Sequence, residues 1–159
     1  MSQPDQASID RWHRWFAVEC NNRGWDLVNQ AWRTPAEDDE MLASAHAAAL
    51  HWSNVGEPIN DARAAGLLAA AHAQCGRGDE AMRWARRYLT HCQQYGCEDW
   101  DLAFAHAAVA GAAAALADTA LHAEQHAQAQ RAGETIAAPE QRAIFFDQFE
   151  RLATAPQRA

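Results

Sequence analysis

Leu68-Ala69-Ala70-Ala71-His72-Ala73 is one of three copies of the phrase L-A-x-A-H-A. The others are Leu42-Ala43-Ser44-Ala45-His46-Ala47 and Leu102-Ala103-Phe104-Ala105-His106-Ala107. In each copy the leucine and the histidine are four apart, which puts them on one face of a helix. Alanine fills roughly a quarter of the 159 positions, and it has the best intrinsic helix propensity. Each copy therefore reads as helix. The second and third copies begin 34 positions apart, the first and second 26, and a step of about 34 is typical of helix–turn–helix repeats. The expected fold class is all-α, a repeat-like array of about seven to eight antiparallel helices in a single domain.

Charge narrows the range of partners. The formal net charge is −8, which argues against a nucleic-acid surface, because that affinity rests on cationic neutralisation of phosphates. All thirteen basic residues are arginine, a bias that points to no site. The N-terminus MSQPDQASID lacks an apolar signal core, and no apolar window of about 18 residues exists for a membrane span. A cytoplasmic, reducing location is expected, with Cys20, Cys75, Cys92 and Cys97 as free thiols.

Local signals set the boundaries. Residues 1–7 and 154–159 read as disordered. Ser8 can cap a first helix bearing Ile9, Trp12, Trp15, Phe16 and Cys20, on which Glu19 and Arg23 are spaced for an ion pair. A break is expected at residues 21–24, with one long helix buried on two faces as the alternative. Thr34-Pro35-Ala36-Glu37 is a capping-box start, and Gly56 with Pro58 a stop. The acidic residues 37–40 read as a solvated, dipole-stabilised helix start, with a docking patch for a basic partner as the alternative. Further helices are expected at about 60–75, from Asp79 to Tyr95, at 98–116, at 118–136 and from Pro139. The helix at 98–116 is apolar on all sides and should be the most buried, and the small residues from Gly111 to Ala115 should let neighbours approach closely.

The segment from about Ala62 to Ile136 resembles two tetratricopeptide-type repeats. Leu68, Ala69, His72, Gly76 and Ala81 match the large, small, aromatic-like, turn and small positions, and Leu102, Ala103, His106 and Ala120 echo them. The second turn, Ala117-Asp118, has no glycine, and the family's early tryptophan and closing proline are missing. What the resemblance implies is a helical scaffold that binds partners through a groove, with no catalytic residues.

Three groups of side chains are candidates for chemistry. His122 and His126 are four apart, but Ala123 stands where a zinc-protease motif needs glutamate, so solvent-facing histidines are the plainer reading. His46, His72 and His106 sit on apolar stripes and read as buried or half-buried core histidines, with a converging ligand groove as the sharper alternative. Cys92 and Cys97 lack a second ligand pair for structural zinc. No metal and no cofactor are therefore expected. The richest polar–aromatic mixture is N-terminal: Trp12, Trp15, Phe16, Glu19 and Asn22. The candidate binding residues are these five with His46, His72 and His106. The leading expectation is a non-enzymatic module that binds a protein or peptide partner or self-associates. The alternatives are a small enzyme or ligand-binding protein built on Glu19 among the aromatics, and a structural homodimer with tryptophans at its interface. The aromatic face of the first helix is also expected to fold onto the array as a cap.

Overall fold

The computed structural model describes residues 4–154. Among them are seven helices and no strand: α1 (Gln6–Val28), α2 (Pro35–Val55), α3 (Pro58–Gln74), α4 (Gly78–Tyr95), α5 (Asp99–Ala115), α6 (Thr119–Glu134) and α7 (Pro139–Ala153). About 84% of the described chain is helical. Short turns fold the first six helices into three antiparallel pairs. In the first pair, His13 meets His51 near one end and Arg23 meets Glu40 near the other. Helices α1, α3 and α5 lie side by side on one layer, and α7 packs against α5 and α6.

Most stops and starts follow the local chemistry. Thr34 accepts from the Glu37 amide at 3.2 Å while Glu37 accepts from the Thr34 amide at 2.8 Å, closing the capping box that opens α2. Gly56 ends α2. The turn after α3 places Gly76 at φ 69°, and the turn after α5 puts Ala117 in the same left-handed region at φ 58°. Their hydrogen bonds correspond: the Arg77 amide donates to His72 and the Asp118 amide to Ala113, both at 2.9 Å. This is a Schellman-type ending in the second and third pairs.

Those two turns are 41 residues apart, as are the starts of α3 and α5. The unit that recurs in space is thus longer than the 34-residue step between phrases. His72 falls in the last turn of α3, His106 in the middle of α5 and His46 on α2. A leucine–histidine pair with alanines suits any closely packed helix face. The length of the unit is set instead by where the turns come.

The N-terminal reading needs several corrections. Asp5, not Ser8, caps α1, and Ser8 donates its amide to the Asp5 carboxylate at 2.8 Å. Gln6 and Ala7 are helical, so the expected disorder up to residue 7 reaches too far; residues 1–3 and 155–159 lie outside the described part. Helix α1 does not break at residues 21–24. Gly24 is buried, and a Cβ there would come within 2.8 Å of Leu67, so this glycine permits close approach to α3 and does not interrupt the helix. Arg23 reaches across to α2 and makes a bidentate pair with Glu40 at 2.7 and 2.8 Å, which leaves Glu19 without it. The aromatic face of α1 does not pack on the array either: Ala17, Gly24, Leu27 and Val28 carry the burial, while Trp12, Trp15 and Phe16 remain exposed.

Helix α5 is deeply buried, with Ala103, Ala105, Ala107, Ala110, Ala112 and Ala113 fully enclosed, but α3 of equal length is more so, since its run from Ala64 to Gln74 is buried throughout. Gly111 is the close-approach point, because a Cβ there would collide with the backbone carbonyl of Leu152 on α7. Phe145, Phe149 and Leu152 of α7 complete the core.

Candidate functional site

One charged residue lies inside that core. Asp101 has no exposed surface, and a carboxylate in such a place must be paired and hydrogen-bonded. It is. Arg63 on α3 donates to both of its oxygens, at 3.0 and 2.9 Å, and the Tyr88 hydroxyl on α4 donates at 2.6 Å. Gly66 makes the third contact possible, since a Cβ there would meet the Tyr88 ring at 2.8 Å. Burial and the adjacent carboxylate push the Tyr88 phenol well above its ordinary value, so it stays a proton donor. The Asp101 pairing in turn raises the Arg63 value. These three groups tie α3, α4 and α5 together.

Arg63 and Tyr88 of this triad form one wall of a cavity of about 310 Å³ on the inner face of the array. Trp25, Trp52, Trp100 and Phe104 line it, and Ala70, Ala73 and Ala108 leave it room. Helix α7 closes the far side with Ile144 and Leu152. The Arg63 guanidinium stacks over Trp100, 4.4 Å from the ring centroid, and its Nη1 is not used by Asp101. The amides of Asn21, Gln141 and Gln148 also face the cavity. They are half-buried, and no hydrogen bond among the described residues engages them. At one end, Gln74 donates to the Arg151 carbonyl at 3.0 Å and Arg151 to Asn29 at 3.1 Å, so the last helix is fastened to the end of the first. The result is a pocket with a closed end.

Chemically, this lining offers flat apolar faces, neutral amides and one already neutralised cation. It presents no free carboxylate, imidazole or thiol. The volume lies at the small end of the range for ligand sites, about 300–1,000 Å³.

The residues singled out in the sequence lie elsewhere. Trp12, Trp15 and Phe16 contact one another on the outside of α1, with centroids 4.9–6.5 Å apart. Glu19 and Asn22 are exposed on the same helix. The three phrase histidines do not converge. His72 is buried and sits 3.3 Å from His46, which is exposed and not the core residue its stripe position suggested. His106 donates from Nδ1 to Gln125 at 2.8 Å. His122 and His126 do not face solvent: they are half-buried against α7, at 2.9 Å from the Ala153 carbonyl and 3.4 Å from Glu150. Among the described residues no group of three or more His, Cys, Asp or Glu is placed to hold a metal. Cys20, Cys92 and Cys97 are free thiols, and burial raises the Cys92 thiol further from its reactive form. No helix among these residues is long and apolar enough to cross a membrane. Sequence reasoning missed the cavity, because Asp101, like Asp99, reads as an ordinary acidic residue in the first turn of a helix.

Two histidine contacts have a measurable consequence. His13 and His51 meet through Nδ1 atoms at 2.9 Å, and His46 and His72 through Nε2 atoms. Burial, then the neighbouring His13, lowers the His51 value; burial, then His46, lowers that of His72. The unfolded chain titrates near 6.5 and binds more protons below that point than the folded chain does. The contribution to stability is therefore complete above 6.5 and is lost as pH falls towards the depressed folded values. The melting temperature should hold steady from about pH 8 to 7 and drop between about pH 6.5 and 5. His51→Gln combined with His72→Gln should flatten that drop, and an unchanged slope would remove the histidines from the explanation.

No protein-family model, curated protein or solved structure matches this chain.

Proposed function

We propose that this protein is a non-catalytic binding module of tetratricopeptide-like build whose inner cavity takes a small, flat, neutral ligand carrying an amide-like hydrogen-bonding edge. The observation that carries this reading is the lining of the cavity. Three indoles and a phenyl ring supply stacking faces, and unengaged amides with Arg63 Nη1 supply donors and acceptors at the edge. A cationic ligand meets Arg63 and finds no free carboxylate, and an anionic one finds a guanidinium already paired with Asp101. The paired helices support the repeat-type reading of residues 62–136. The link from α7 to α1 favours a compact ligand over an extended peptide, because the groove has no open far end.

Tryptophan fluorescence and ligand-observed magnetic resonance test this with a neutral heteroaromatic lactam beside anionic and cationic analogues of the same ring. Saturable binding of the neutral compound is expected, weakened roughly tenfold or more by Trp100→Ala through loss of one stacking face. Preference for a charged analogue, or binding indifferent to Trp100, would count against the proposal.

A further inference from the structure

The exposed aromatic face of α1 remains unaccounted for. Trp12, Trp15, Phe16 and Val18 are 57, 52, 40 and 40% exposed. With about 150–250 Å² per aromatic side chain, they leave on the order of 300 Å² of contiguous apolar surface, a size that usually marks an interaction site. Glu19, beside them, has no ion-pair partner among the described residues, and Arg11 bonds only the Ser8 hydroxyl, at 3.3 Å. The rings are held in place by one another and by His51, which stacks on Phe16 at 5.3 Å.

The order of these residues identifies what fits them. Arg11 and Glu19 lie equally far before and after Trp15, and so do Trp12 and Val18, and Ser8 and Asn22. A two-fold axis perpendicular to α1 at Trp15 brings each residue before Trp15 against its counterpart after it on the other copy. Trp15 then meets Trp15, Trp12 meets Val18, the polar Ser8 meets Asn22, and Arg11 meets Glu19 twice over. Along this stripe opposite charges, apolar groups and polar groups face partners of matching kind, as an isologous interface requires, whereas Phe16 at its margin comes against Arg14. We propose that a second copy of this chain docks here, α1 against α1 in antiparallel orientation. The proposal is independent of the cavity, because α1 faces inward there through Asn21 and Trp25.

An interface this small falls below the usual area of a stable specific dimer, so a weak dimer, no tighter than the micromolar range, is expected. Sedimentation equilibrium from about 1 to 500 µM reads it. Trp15→Ala should weaken the dimer roughly tenfold or more. Arg11→Glu and Glu19→Arg should each weaken it by about tenfold, since each sets like charges face to face twice. The combined Arg11→Glu/Glu19→Arg variant should return to within about threefold of the parent. All these positions are exposed, so an unchanged melting curve confirms that each variant folds. A monomer at every concentration would overturn the proposal, even one that binds some other protein through this face. So would a dimer indifferent to Trp15→Ala, or a double swap that does not recover.

Discussion

Replacing Arg63 by methionine is expected to cost about 3–5 kcal/mol at neutral pH, the usual penalty for leaving a buried charge without its partner. Asp101 sets the size of this effect. Arg63 reaches solvent, whereas Asp101 has no exposure and would keep only the Tyr88 hydroxyl. With total stabilities of about 5–15 kcal/mol, the loss should be plain in urea unfolding. Converting all three members together, Arg63→Met, Tyr88→Phe and Asp101→Leu, should recover most of the loss, because no polar group is then left unpaired. A single Arg63→Met variant within about 1 kcal/mol of the parent would show that the triad does not hold these helices together.

Gly111→Ala should be nearly as damaging, at about 3 kcal/mol. Overpacking usually costs about 1–3 kcal/mol, and the upper end applies because the obstacle is the Leu152 backbone, which cannot rotate away as a side chain can. Helix α7 has to lift off α5. That exposes Phe145, Phe149 and Leu152 and removes Ile144 and Gln148 from the cavity wall. Hydrogen exchange should find faster exchange in α7 than the parent shows, with α3 and α4 less affected, and the neutral lactam should bind more weakly. Parent-like protection of α7 would mean that the two helices are not in the close contact described.

The helices, their caps and most of their burial were legible in the sequence because those properties are local. Thr34, Pro35 and Glu37 close a capping box with no help from other helices. Gly56 ends α2 in ordinary extended backbone just ahead of Pro58, and alanine content marks α5 as a buried helix, although α3 has more buried positions. The close approach of helices near Gly111 was readable for the same reason, since small side chains leave room whatever comes to fill it. The length of the repeating unit was not, because the phrase L-A-x-A-H-A records which face is buried and not where the turns fall.

The site depended almost entirely on distant contacts. Arg63 and Asp101 are 38 residues apart, and Arg151 and Asn29 are 122 apart. No spacing rule connects such residues until the array has curved enough to bring α7 to α1. Arg23 likewise had an eligible partner one turn away in Glu19, but α2 offered Glu40 in bidentate geometry. Trp12, Trp15 and Phe16 look like core by composition, yet the face of α1 that packs inward is the one carrying Ala17, Gly24 and Val28. Small residues let helices come close, and close packing of the backbones decided which face went inside.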